Sequence, residues 1–178
     1  MALPMLTDTS VLAEMMKPGS PAAAWAAART VQEPCYVSSI SVFEVIFGFQ
    51  QALLRALRQE APGDAAAWSR RGEQFAQFVR RDCFVVCPWD GNAALVAAHL
   101  YARLPSPPQA GWHRTRSRGK TKTEVRRSWL LDVMIASIAV AHGLPLLTRN
   151  IIDFAALSDV LPEPWRLDVR AFPEQAPR

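Results

Sequence analysis

Gly143-Leu144-Pro145-Leu146-Leu147-Thr148-Arg149-Asn150-Ile151-Ile152-Asp153-Phe154, entered through an apolar run that starts at Trp129, decides the fold. Between Trp129 and Leu147 the only formal charge is Asp132. Gly143 and Pro145 stop any helix there after about 14 residues, short of the ~20 that a bilayer requires. The stretch therefore predicts a buried helix over 129–142, a buried strand over 144–148 and a short helix over 150–157. No membrane span is expected.

Working outward, the same alternation continues. Upstream lie an Ala-rich helix over 92–104, a strand over 83–87, helices over about 65–80 and 41–59, and a strand over 35–37. Helical pieces over 22–29 and up to Met16 and a first strand over 2–7 complete the N-terminal half, and 168–172 reads as a last strand. The helix from Ser41 has Phe43, Ile46, Phe49, Leu53, Leu54 and Leu57 at a spacing near 3.6. Strands apolar on both faces and separated by helices predict an α/β fold with a mostly parallel sheet covered on both sides.

The 178 residues suffice for one domain, and no repeat or second domain is evident, so 1–178 is read as one unit. Half the residues are hydrophobic and a fifth are charged, which excludes wholesale disorder. The net charge of +4 is concentrated: residues 114–127 carry seven Lys and Arg against Glu124, leaving −2 for everything else. That run belongs to a Pro-rich, basic segment at about 105–127, read as a long loop or insertion. Three cysteines, an odd number, speak for a reducing compartment over a disulfide framework. Cys83 and Cys87 stand about 13 Å apart along a strand, too far to share zinc. The N-terminus has no basic leader, so no signal peptide is expected.

In a parallel sheet, functional groups collect at the carboxyl edge. Asp8 follows the first strand, and Glu44, Asp132 and Asp153 are each read in the first turn of a helix. Each has a plain structural role open to it. Asp8 and Asn150 suit helix caps, and Ser41-x-x-Glu44 fits a capping box. Asp132 is harder to explain so, because a lone buried carboxylate costs several kcal/mol. Together the four suggest a site for a hard cation, Mg²⁺ or Mn²⁺, working on phosphates. The basic residues Arg114, Arg116, Arg118, Lys120, Lys122, Arg126 and Arg127 would then suit holding a phosphate backbone, with a plain solvated loop as the other reading. Trp112 and His113 at its start suit stacking on bases, and Trp112 equally suits covering core. No P-loop, nucleophile elbow or Gly-x-Gly-x-x-Gly is present. His99 and His142 lie in helices and are read as packing or surface residues.

Leu6-Thr7-Asp8-Thr9-Ser10-Val11-Leu12, Ser41-Val42-Phe43-Glu44-Val45, Leu131-Asp132-Val133-Met134-Ile135-Ala136 and Leu147 to Phe154 resemble, in this order, the motifs of PIN-domain ribonucleases, in particular VapC-type toxins. The resemblance implies a three-layer α/β/α sandwich and a catalytic quartet of Asp8, Glu44, Asp132 and Asp153. Asp8 and Asp132 would be the firmest metal ligands, with Thr9, Thr148 and Asn150 in support. It further implies cytoplasmic, metal-dependent cleavage of RNA by a homodimer held inactive by a VapB-like antitoxin. Two departures stand out: a long region over about 56–81 and the 105–127 segment. A housekeeping nuclease of RNA maturation would share this chemistry without the partner. A non-catalytic PIN fold would have lost acids, and all four are present. A phospho-receiver would need a Lys after the last core strand, where Arg149 stands.

Overall fold

The structure, a computed structural model, describes residues 4–30, 33–107 and 121–172. In chain order the elements are β1 (Leu6–Thr7), α1 (Thr9–Met15), α2 (Pro21–Thr30), β2 (Cys35–Ser38), α3 (Ser39–Arg58) and α4 (Pro62–Val79). There follow β3 (Phe84–Cys87), α5 (Gly91–Arg103), α6 (Lys122–Ala141), β4 (Leu146–Thr148), α7 (Ile151–Asp159) and β5 (Val169–Ala171). The strands form one parallel sheet in the order β3-β2-β1-β4-β5. The chain builds outward from β1 in one direction, then returns to β1's other side with β4. That reversal makes the β1/β4 crevice the topological switch point of the sheet.

In the central strands neighbouring residues feed opposite cores, which is why those strands read as apolar throughout, whereas Val85 and Val86 of the edge strand β3 are exposed. Leu6 and Leu146 join Trp129, Val133, Ile138, Leu100 and Phe154 on the face covered by α5, α6 and α7. Val37 and Leu147 join Val11, Leu12, Trp25, Phe75 and Phe172 on the other. This is the expected three-layer α/β/α sandwich. Helix α3 is apolar and long enough to cross a membrane by length and composition, yet it packs against α4 as a layer helix.

Two sequence expectations change. The buried helix begins at Lys122, not Trp129, so it is 20 residues long and Asp132 sits in its middle instead of its first turn. Thr121 and Glu124 form a capping box there, and Lys and Arg are good helix formers despite their loop-like company. The C-terminal end of the supposed insertion, from Lys122 on, is thus helical, while residues 108–120, with Arg114, Arg116, Arg118, Lys120, Trp112 and His113, lie outside the described residues. The helix ends as expected: Gly143, at φ +64, lets its own N–H and that of Leu144 bond back to Val140 and Ala139 at 3.1 and 2.9 Å.

The second change concerns Glu44. Helix α3 starts at Ser39, and its cap is Ser38, whose Oγ accepts from the Ser41 N–H at 2.8 Å. Glu44 therefore lies beyond the first turn and is not part of a capping box.

All three cysteines are free thiols. Cys87 is buried in one core and Cys83 packs against the other, so they share no ligand. Burial pushes the Cys35 thiol up to about 11, with Arg29 opposing and Cys83 adding to the rise. A thiol kept protonated in the fold stabilises it fully below the unfolded value of 9.0 and loses that stabilisation as pH climbs toward 11. Thermal melting should therefore decline between pH 9 and 11, and Cys35→Ala should flatten that decline while lowering the plateau.

Candidate active site

The carboxyl ends of β1 and β4 meet through side chains. Register pairs Thr7 with Leu147, which sets Asp8 beside Thr148. The Thr148 hydroxyl, fully buried, donates to Asp8 Oδ2 at 2.6 Å. The other Asp8 oxygen accepts from the Val11 N–H at 2.9 Å and so caps α1, and the Ser10 hydroxyl lies 2.8–2.9 Å from both oxygens. Asp8 is 4% exposed. A carboxylate so held has one orientation, fixed by three donors.

Next to it, the Thr9 hydroxyl donates to Glu44 Oε2 at 2.5 Å, bridging α1 to α3. The plain capping role of Glu44 is thus replaced by a tie to the residue that follows Asp8. Asp153 lies in the first turn of α7 and is 4% exposed. Asn150 occupies the cap position of α7 without a side-chain cap bond. Instead its backbone N–H donates to Thr148 Oγ1 at 2.8 Å, and its Nδ2 is buried with no hydrogen-bond partner among the described residues. A stranded buried donor costs about 1–3 kcal/mol, a cost tolerated where the donor has work to do.

Asp132 is half-buried on α6, which packs against α3 and β2. Four residues before it, Ser128 lines a cleft of about 250 Å³ together with Phe43, Glu44 and Phe47 of α3 and Glu124, Arg127 and Leu131 of α6. Residues four apart share a helix face, so Asp132 continues the face that looks onto Glu44. Among the described residues no three His, Cys, Asp or Glu side chains close into a ready-made metal cage. At the switch point Asp8 and Glu44 are fixed separately, each by a hydroxyl.

The sequence-expected residues Asp8, Thr9, Glu44, Thr148 and Asn150 are brought together by these bonds. Lys122, Arg126 and Arg127 are exposed on the first turns of α6. Sequence reading missed Ser10 as a donor to Asp8, although its place two residues on is a common spot for such a turn. It also missed the ion pair of Arg149 with Glu14, which with the stacking of Arg149 over Phe172 at 5.3 Å ties the end of β4 to α1 and β5. His99 packs edge-on against Trp165 at 4.8 Å, and His142 Nε2 stands 3.3 Å from the Pro88 carbonyl, as suits packing residues.

Residues 5–159 match the sequence model of the PIN domain. The chain belongs to the PIN-domain family. Members of this family are nucleases, so the switch-point carboxylates are the natural place to seek phosphodiester hydrolysis. No curated protein matches the chain. Among solved structures, this PIN domain is similar to VapBC2 from Rickettsia felis bound to a promoter DNA fragment, at 14% identity and a TM-score of 0.58, over 95% of this chain and 98% of that one. It is also similar to FitAcB from Neisseria gonorrhoeae, at 20% identity and 0.48, covering 93% and 95%. A toxin–antitoxin complex from Klebsiella pneumoniae aligns at 19% and 0.46, covering 89% and 96%. The VapBC2 likeness bears out the PIN-like sandwich expected from the sequence.

Proposed function

We propose that this PIN domain is a divalent-metal-dependent endoribonuclease and the toxin of a type II toxin–antitoxin pair. The observation that carries the reading is the bond from Thr148 to Asp8 across the switch point, with Thr9 fixing Glu44 beside it. Carboxylates locked at the carboxyl edge by hydroxyls are what a hard cation needs. The donor set is all oxygen, without Cys or His, which suits Mg²⁺ or Mn²⁺. Mg²⁺ commonly keeps several waters and takes only one or two carboxylates together with substrate phosphates, so the lack of a closed protein cage fits it. Asp8 and Asp132 would be the main ligands, with Glu44 and Asp153 completing the surroundings.

Bound there, such an ion supplies Lewis-acid polarisation of a phosphoryl oxygen and charge neutralisation at the leaving oxygen. The protein's own groups do the positioning. Thr148 and Ser10 keep Asp8 in one orientation, and Thr9 holds Glu44, which would orient the attacking water. Lys122, Arg126 and Arg127, with Arg114, Arg116, Arg118 and Lys120, would hold the RNA backbone. A VapB-like antitoxin, a homodimer and a cytoplasmic setting belong to the same reading, supported by the fold shared with VapBC2.

The test is incubation of total RNA with purified protein, free of any antitoxin, in Mg²⁺, in Mn²⁺ and in EDTA. Discrete fragments in at least one metal and none in EDTA are expected. Intact RNA with both metals, from protein that melts cooperatively, would sink the nuclease reading in favour of a binding-only fold.

A further inference from the structure

The cleft between α3 and α6 holds features the acid site does not use. Phe43 and Phe47 lie in a near-parallel stack, with centroids 5.7 Å apart and 21° between planes. Phe43 is 49% exposed, on a helix turn that also carries Glu44. The Arg127 guanidinium sits 4.6 Å from the Phe47 ring centroid. Phe43, one residue from Glu44, leaves half its surface free of packing, and Phe47 and Arg127 continue from it along the cleft. The other acid of the cleft, Glu124, is engaged in capping: its Oε2 accepts from the Thr121 N–H at 2.6 Å and hydroxyl at 2.9 Å.

Resting on the ribonuclease reading above, we propose that this cleft is a nucleotide subsite in which an unpaired RNA base stacks on Phe43 and Phe47 while Arg127 holds an adjacent phosphate. Every base offers a π-face, so aromatic platforms beside cations suit single-stranded RNA and are indifferent to sequence. A base inside a duplex is already stacked and cannot lie on Phe43. The subsite thus selects unpaired nucleotides and sets which phosphodiester reaches Asp8 and Asp132. An RNA occupant is favoured over a protein one because the cleft opens onto Glu44 and α6 carries the exposed cations Lys122, Arg126 and Arg127 on its first turns.

The experiment measures binding of a fluorescein-labelled single-stranded oligoribonucleotide of mixed sequence, and of its duplex, to the full chain. Phe43→Leu keeps an apolar side chain at a half-exposed position and removes the π-face. It should weaken single-strand binding about tenfold and leave duplex binding unchanged. Phe43→Tyr should restore it, which a merely structural role would not require. Arg127→Gln should lower the salt slope by about one phosphate contact. In cleavage assays Phe43→Leu should raise KM with little change in kcat. Single-strand affinity unchanged in Phe43→Leu, with the wild type still cutting RNA, overturns the subsite alone. A Phe43→Leu defect seen only in antitoxin binding also overturns it and makes the cleft a protein interface. A wild type that neither binds nor cuts the RNA overturns the subsite and the nuclease reading together.

Discussion

Asp8→Asn is expected to lower metal-dependent RNA cleavage by at least about a hundredfold while changing stability by no more than about 1 kcal/mol. The two effects separate because the carboxylate has two jobs. As a cap of α1 it accepts from the Val11 N–H, and an Asn carbonyl accepts there equally well. As the proposed metal ligand it would offer a negative charge, and the amide would offer none. The amide Nδ2 would face the Thr148 hydroxyl, which now donates to Oδ2. That hydroxyl has a second lone pair besides the one taken by the Asn150 N–H, so it can turn and accept. Burying a neutral amide also removes the desolvation cost of a carboxylate that is 4% exposed. Asp8→Ala is the poorer test, since losing the cap costs about 1–2 kcal/mol more and mixes folding with chemistry. Cleavage of labelled RNA in Mn²⁺, paired with a thermal melt, checks both halves. Asp8→Asn cleaving at the wild-type rate would remove Asp8 from the reaction.

Asp8 and Thr148 were legible because strand ends are easy to locate: an apolar run stops, and the next polar residue must stand at the sheet edge. The parallel sheet was legible for a similar reason, since Leu6 and Thr7, or Leu146 and Leu147, face opposite cores and neither face shows an exposed alternation. Helix starts were harder. Ser41-x-x-Glu44 satisfies a capping pattern, but Ser38 lies one turn earlier and takes the cap, a choice settled by where β2 ends. The Thr121 and Glu124 box sat unnoticed inside a basic stretch, because charge and local Ser, Thr and Gly content suggested a loop. Asp132 was therefore singled out for a sound reason, a charge in an apolar run, and given the wrong place in its helix. The aromatic cleft was invisible for a different cause. Phe43 belongs to the apolar stripe read for α3, Phe47 stands one turn beyond it, and only tertiary packing decides which residues of such a helix stay in solvent.

The largest loss of stability should follow Trp129→Ala. Trp129 is fully buried, and its indole Nε1 donates to the Leu104 carbonyl at 2.8 Å. Leu104 is the residue that closes α5, so this bond ties the end of α5 to α6 two turns into that helix. Truncation removes a large core side chain, worth about 3–5 kcal/mol, and leaves that carbonyl without its donor, worth about 1 kcal/mol more. Against a total of about 5–15 kcal/mol, the variant should melt roughly 10–15 °C lower. Trp129→Phe keeps most of the ring and loses only the donor and some volume, so it should cost about 1–3 kcal/mol. Trp129 stands three residues before Asp132, one turn away on α6, and the role proposed for that acid is charge. Trp129→Phe should accordingly keep cleavage within a few-fold of wild type at 25 °C while lowering the melting temperature. A melt within about 2 °C of wild type for Trp129→Ala would show that α6 is not anchored through this ring. Cleavage lost in the folded Trp129→Phe protein would show instead that the ring fixes the turn carrying Asp132.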